Sequence, residues 1–251
     1  MATESVRYPG AIVPVGHVEP VPRRVRGLIG GRAVFDTRRA LYVWEWPPYP
    51  QFGIPLDDLA EGAVLTPDGE TRTLGAWPAR RHSLRFGPEV REAAVWVWDD
   101  EAPERVRGTV RFEWEALDDW FEEDEPVFVH PRSPYSRVDA LRSSSSVRVE
   151  LNGEVLADAP HCVTLFETGL PTRYYLDRGY VDWTRLLPSD TVTRCPYKGT
   201  TSGYWSLRSD PGAHSDLLWA YDFPTAQVQR IAGLVAFYGE QVGLRVDGRP
   251  G

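Results

Sequence analysis

The chain has 251 residues, of which 42% are hydrophobic and 25% charged, a balance that fits a folded globular protein and excludes disorder or collagen-like repetition. The 28 Lys and Arg against 36 Asp and Glu leave a net charge of −8, which disfavours nucleic acid as a partner because phosphate backbones are repelled. The longest apolar runs, Ala93–Trp98 and Ile231–Tyr238, fall far short of the roughly 18 residues a membrane helix needs, so no membrane partner is expected.

The N-terminal stretch up to about Pro22 is Pro-rich and reads as an extended arm, residues 1–22. It carries Glu4 and Arg7 without an apolar h-region, so no secretory signal is expected and the cytoplasm is the default compartment. With 22 Gly, 22 Pro, 10 Trp, 11 Tyr and 9 Phe, the composition suits short strands joined by tight turns. A hairpin is predicted around Gly30-Gly31, and alternation predicts strands at Val95-Trp96-Val97-Trp98 and Val110/Phe112/Trp114. A short helix is predicted over Ala116–Glu123. Eight acids between Glu113 and Glu125 read as a solvated surface.

Internal similarity dominates the remainder. Val25–Glu45 aligns with Val147–Glu167, with identities at Val25/Val147, Arg26/Arg148, Gly31/Gly153, Asp36/Asp158 and Glu45/Glu167. Farther on, Val127–His130 aligns with Val235–Tyr238 and Arg137–Asp139 with Arg245–Asp247, which gives the first copy 14 extra residues in its middle. The expected organisation is therefore a first, divergent repeat over 23–142, a serine linker at 143–146, and a second repeat over 147–251. The second copy opens with a hairpin whose Asn152-Gly153 supplies two positive-φ positions. A strand is predicted around Tyr204-Trp205-Ser206-Leu207, and a short helix after Pro224 with Val228, Ile231 and Ala232 on one stripe.

No metal site is expected. Cys162 and Cys195 form no C-x-x-C pair, and His161 and Cys162, adjacent in a strand, point to opposite faces. The candidate chemistry lies in two segments of the second copy. In one, Glu167 precedes a Gly-Leu-Pro bend from which Arg173, Tyr174 and Tyr175 emerge. In the other, Cys195-Pro196-Tyr197-Lys198-Gly199 leads to Tyr204 and Trp205. Aromatic walls with a few charged groups can line a pocket. Alternatively, Lys198 could lower the pKa of the Cys195 thiol, although no local histidine base is present. The first copy keeps the acid as Glu45 and loses the thiol, with His82 or Arg85 near its place. His130, aligned with Tyr238, reads as a packing residue.

Asn152–Asp158, Glu167–Pro171 with Arg173-Tyr174-Tyr175, Cys195–Gly199, Tyr204-Trp205, Trp219-Ala220-Tyr221 and Ile231–Tyr238 closely resemble the family numbered 427 among domains of unknown function. His130–Tyr135 and Arg137-Val138-Asp139 resemble the first domain of tandem bacterial members. The resemblance implies a mainly β fold of two tandem β-tent-like domains, each with two antiparallel sheets leaning together, similar to the drug-binding domain of cereblon and to methionine sulfoxide reductase B. The zinc that such relatives hold through paired cysteines does not carry over to this chain. Nor does the family's nucleotidyltransferase-like label, since no Gly-Ser is followed by an Asp-x-Asp pair.

Carried onto this chain, the motif selects Glu167, Arg173, Tyr174, Cys195, Tyr197, Lys198, Tyr204 and Trp205. The preferred expectation is a small polar or anionic molecule bound in a cleft of the second repeat. The rivals are a cysteine-dependent enzyme with Cys195 as nucleophile or redox centre, and a structural or partner-binding protein.

Overall fold

The computed structural model describes residues 13–212 and 214–250, and these divide into two compact units, 13–134 and 135–250. Both units are built from antiparallel strands in the same order. In the first, a seven-stranded sheet runs Val18–Pro20, Leu41–Val43, Gln51–Pro55, Thr109–Phe112, Glu89–Trp98, Trp77–Phe86 and Ala63–Leu74. A four-stranded sheet runs Glu125–Pro126, Asp119–Glu122, Val25–Ile29 and Arg32–Thr37.

The second unit repeats this plan. Its seven strands are Val138–Ser143, Cys162–Glu167, Arg173–Leu176, Val235–Phe237, Leu218–Ala220, Gly203–Leu207 and Leu186–Ser189. Its four-stranded sheet runs Arg249–Pro250, Gly243–Val246, Val147–Leu151 and Glu154–Ala159. In each unit the two sheets lean together over a core, the β-tent arrangement: Val147, Val149 and Leu156 of the small sheet meet Leu176, Leu218 and Phe237 of the large one. Each fully buried aliphatic side chain contributes about 1.5–3 kcal/mol, so this shared interior is what holds the sheets against one another.

The opening hairpins form as the turn chemistry dictates. Asn152 and Gly153 have φ of 54° and 81°, and Gly30 and Gly31 have 56° and 73°. Both hairpins carry a register shift at the same place, between Gly27 and Leu28 and between Val149 and Glu150. The extra residue tightens the strand twist toward the core.

Several expectations are corrected. The two copies do not separate in register at their C-terminal ends. Ile54 pairs with Val110 as Leu176 pairs with Val235, and Val25 pairs with Glu122 as Val147 pairs with Val246. The counterpart of Val235–Phe237 is thus Thr109–Phe112, and that of Gly243–Val246 is Asp119–Glu122. Short β-runs look alike, so a similarity of three or four residues points to the wrong strand.

The expected helix over Ala116–Glu123 is a single 3-10 turn, Trp114–Ala116, followed by the strand Asp119–Glu122, whose Trp120 and Glu122 are buried on alternate positions. The helix expected after Pro224 is a pair of 3-10 turns, Ala226–Ile231, broken at Val228.

Of the N-terminal stretch read as an arm, residues 1–12 lie outside the described ones. Within 13–22, Val18–Pro20 is an edge strand, and Val13, Val18 and Val21 are buried. The serines expected at the joint lie inside the second unit. Val138–Ser143 pairs along Cys162–Glu167, and the Ser146 amide donates to Asp247 Oδ1 (2.8 Å). Among the described residues no helix is long and apolar enough to cross a membrane.

Candidate functional site

In the second unit the strand alternation decides which side chains can meet. Leu165 pairs with Arg173 and Val163 with Tyr175, so Val163, Leu165, Glu167, Arg173 and Tyr175 share one face of the large sheet. The rung through Tyr175 continues across Ala236, Trp219 and Tyr204 on the neighbouring strands. Tyr175, Trp219 and Tyr204 pack there with Tyr197, Tyr221, Cys195 and Tyr238. This face is opposite the core shared by the two sheets.

Two charged pairs sit on this aromatic floor. The Arg173 guanidinium lies over Trp219 (5.6 Å to the ring centroid) and Tyr238 (5.4 Å), and donates two hydrogen bonds to Glu240, at 2.7 and 2.8 Å. The fork-to-fork geometry fixes the plane of the guanidinium, and the rings beneath stabilise it as a cation. The Lys198 ammonium donates to Glu167, both side chains being close to nine-tenths buried.

Lys198 reaches that position because its loop is tied down. The Thr225 hydroxyl donates to the Tyr197 carbonyl and the Thr225 amide to the Lys198 carbonyl (3.2 Å), while Gly199 turns at φ +97°. Arg194–Cys195 and Gly199–Thr200 close the loop as a two-stranded ribbon.

Burial pushes the phenols of Tyr175, Tyr221 and Tyr238 well above the ordinary range, so all three are neutral at physiological pH. Tyr175 accepts a hydrogen bond from Trp219 Nε1 (3.1 Å), and Tyr204 shares one with the Thr193 hydroxyl (2.8 Å). The hydrogen bonds from Arg173 hold the Glu240 carboxyl below its usual value. The face therefore offers a flat cation, a paired acid and ammonium, and neutral hydroxyls. Cys195 sits half-buried at its edge, and the ammonium of Lys198 is engaged by Glu167.

Glu167, Arg173, Cys195, Tyr197, Lys198 and Tyr204 are thus brought to one face. Tyr174 and Trp205 are not: a period of two sends each to the opposite side from its neighbour. Tyr174 packs against the inter-sheet core, and Trp205 stands edge-on to Trp183 (5.1 Å) with Arg178 over its ring (5.8 Å). The sequence does not select Trp219, Tyr238 or Glu240 as site residues. Trp219 could have been placed by alternation with Tyr221 along its strand. The Arg173–Glu240 pair spans 67 positions and leaves no local signal.

The first unit builds its equivalent face differently. Glu45, the counterpart of Glu167, faces Arg111 (3.3 Å), which also pairs with Glu113 (2.5 Å), and Trp96 Nε1 donates to Glu113 (2.6 Å). Burial raises the Glu45 carboxyl above its usual range. Burial also acts on Glu113, but the hydrogen bond and charge of Arg111 outweigh it and lower that carboxyl. Arg81 lies over Trp96 (5.9 Å) and pairs with Asp68. His82 Nδ1 donates to the Arg80 carbonyl (3.0 Å), and Arg85 is exposed on the same strand. His130 stacks flat on Tyr49, with ring centroids 3.5 Å apart.

A family model described as a domain of unknown function, DUF427, matches the chain twice, over residues 17–123 and 139–248. The two matched segments correspond to the two units and are almost equal in length, as the shared strand order requires. No curated protein matches the chain.

Proposed function

The chain belongs to the DUF427 family, carrying its domain twice, and we propose that the second copy binds a small polar or anionic molecule on the aromatic face of its large sheet. The observation that carries this reading is the convergence of Arg173, Glu240, Glu167 and Lys198, from separate segments, onto a floor of Trp219, Tyr238 and Tyr204. A surface maintained only for packing has little use for a guanidinium held flat over two rings. Binding here takes place on the side of the large sheet turned away from the inter-sheet core, where Arg173 and Tyr238 are the partly exposed groups, rather than in a cleft between the sheets, because the inter-sheet space is filled by the core.

In this reading Arg173 meets the negative charge, exchanging one of its two bonds to Glu240 for the ligand, while the half-buried Tyr238 supplies contact area and the buried Trp219 backs the guanidinium. The Glu167–Lys198 pair, closed beneath the site, supports its polar side. Glu240 is a competitor for Arg173, so its removal has an opposite effect to removal of Arg173.

The test is a thermal-shift screen of metabolite mixtures on the full chain, followed by titration of the hits. Arg173→Ala abolishes the shift and Glu240→Gln strengthens binding by a few-fold. Hits that bind both variants as they bind the native chain would overturn the assignment.

A further inference from the structure

Farther along the same sheet face, the second unit contains a cavity of about 500 Å3, within the size range of small-molecule sites. Its lining follows from register. Arg142 pairs with Val163, and Val163 with Tyr175, which makes one rung. Just past the ends of these strands, Ser144, His161, Asp177 and Leu234 line the cavity together. Its walls are therefore apolar on one side, from Val163, Leu234 and Tyr175, and polar on the other.

The polar groups have spare capacity. Among the described residues, neither Arg142 nor His161 enters an ion pair or a hydrogen bond through its side chain, and Arg142 is exposed at the rim. This contrasts with Arg173, Arg178, Arg185 and Arg148 of the same unit, each of which has a carboxylate partner. Asp177 uses one oxygen to cap the Gly179 amide (2.8 Å). His161 is held by edge-on contact with Tyr180 (5.6 Å).

An unpaired guanidinium beside an imidazole favours a carboxylate, which accepts two parallel hydrogen bonds from Arg. The wall of Val163, Leu234 and Tyr175 requires an apolar body on the same molecule. We infer that this cavity is a second binding site, for a small organic acid with an apolar body. Arg142 and His161 hold the carboxylate, the Ser144 hydroxyl borders it, and Asp177 accepts from any hydroxyl or amine the molecule carries. The cavity lies on the same sheet face as Arg173 but is lined by none of Arg173, Glu240, Glu167 and Lys198, so its charged groups are distinct from those of the reading above.

The test uses the full chain and a defined probe panel: benzoate, phenylacetate and phenylalanine, with benzamide and phenylacetamide as uncharged counterparts, titrated by isotope-edited NMR. At least one acid binds with a dissociation constant of about 1 mM or lower, and its amide binds at least tenfold more weakly. Arg142→Ala weakens the acid by roughly ten- to a hundredfold, as expected for a lost charge-assisted pair. Ser144→Trp, an exposed position where folding is not at issue, fills the mouth and removes binding. Arg173→Ala leaves this titration unchanged, so failure here and failure of the reading above are separable. Absence of binding by every acid, equal binding of acids and amides, or binding that survives both Arg142→Ala and Ser144→Trp would overturn the inference.

Discussion

Arg111 of the first unit occupies the sheet position that Ala236 occupies in the second. On the adjacent strand the sizes are reversed, Gly53 standing where the second unit has Tyr175. The correspondence follows from the pairings Ile54–Val110 and Leu176–Val235, together with Leu41–Gly53 and Val163–Tyr175. Beside its central tryptophan, one copy thus has an arginine next to a glycine, the other an alanine next to a tyrosine. In both, the acid at the end of the preceding strand is kept, as Glu45 and Glu167. It is neutralised from different places, by Arg111 from within the sheet and by Lys198 from a loop. The two faces have diverged as packed units rather than residue by residue.

That complementarity has a measurable consequence. Arg111 is 14% exposed and Glu45 11%, and Arg111→Ala leaves the buried Glu45 carboxylate without its ion-pair partner, a loss of about 3–5 kcal/mol for a broken buried pair. Gly53→Tyr alone is also destabilising, because a Cβ at Gly53 meets Thr109 Oγ1 at 3.1 Å and Val43 Cγ2 at 3.3 Å, and the ring beyond it meets Arg111. Combined, the two substitutions restore the second unit's arrangement and cost less than their sum, by about 0.5–3 kcal/mol. Urea denaturation of the four proteins measures the coupling, and strict additivity would contradict the exchange.

Glu45 also sets a pH dependence. Burial raises its folded pKa above the ordinary 4.5, so its contribution is fully favourable when the group is protonated, below that value, and is lost as pH rises through the elevated folded value. Glu45→Gln keeps the shape without the ionisation. The stability of Glu45→Gln relative to the native chain is therefore lowest below pH 4.5 and increases as pH is raised, then levels off. Denaturant midpoints across pH 4 to 8 give this difference, and a difference that fell with rising pH would mean that Arg111 dominates over burial.

In the second unit, Tyr175 is fully buried and its hydroxyl takes the Trp219 indole hydrogen. Tyr175→Phe leaves that N–H without an acceptor in the interior, at a cost of about 1–3 kcal/mol. Tyr175→Phe/Trp219→Phe, which removes donor and acceptor together, restores part of this loss despite the smaller ring. Equilibrium unfolding monitored by tryptophan fluorescence distinguishes the two. A single variant as stable as the native chain would show that the hydrogen bond contributes nothing net.

What the sequence disclosed was governed by local physics. Asn152-Gly153 and Gly30-Gly31 revealed their hairpins because positive φ at two successive residues restricts the choice of amino acid. The duplication was visible where an identity pattern spanned a whole hairpin, Val25–Glu45 against Val147–Glu167. It is misleading where only three or four residues match, as for Val127–His130 and Arg137–Asp139, since any two short strands match that well. Glu167 and Lys198 could be nominated by composition, but their contact spans 31 positions, and that of Arg173 with Glu240 spans 67. Separating Tyr174 from Tyr175 and Trp205 from Tyr204 required knowing which strand face is inward, which depends on register against strands remote in sequence.

Gly75 lies at the tip of the long hairpin formed by Ala63–Leu74 and Trp77–Phe86, with φ of +61°, and a Cβ there would stand 2.8 Å from the Glu45 Cα. Backbone cannot yield as a side-chain end can, so Gly75→Ala incurs a steric clash in addition to the cost of about 1–2 kcal/mol for a left-handed non-glycine. Gly69, in the first strand of the hairpin, has φ of +90° but open space around its would-be Cβ, so Gly69→Ala incurs the conformational cost alone. Gly75→Ala is accordingly the more destabilising of the two, and it moves the tip off Glu45, lowering that carboxyl's pKa toward the ordinary value as water gains access. Thermal unfolding ranks the two variants, and NMR titration of the Glu45 side chain detects the shift. Equal melting temperatures, or a Glu45 titration unchanged in Gly75→Ala, would show that the tip does not control the burial of that acid.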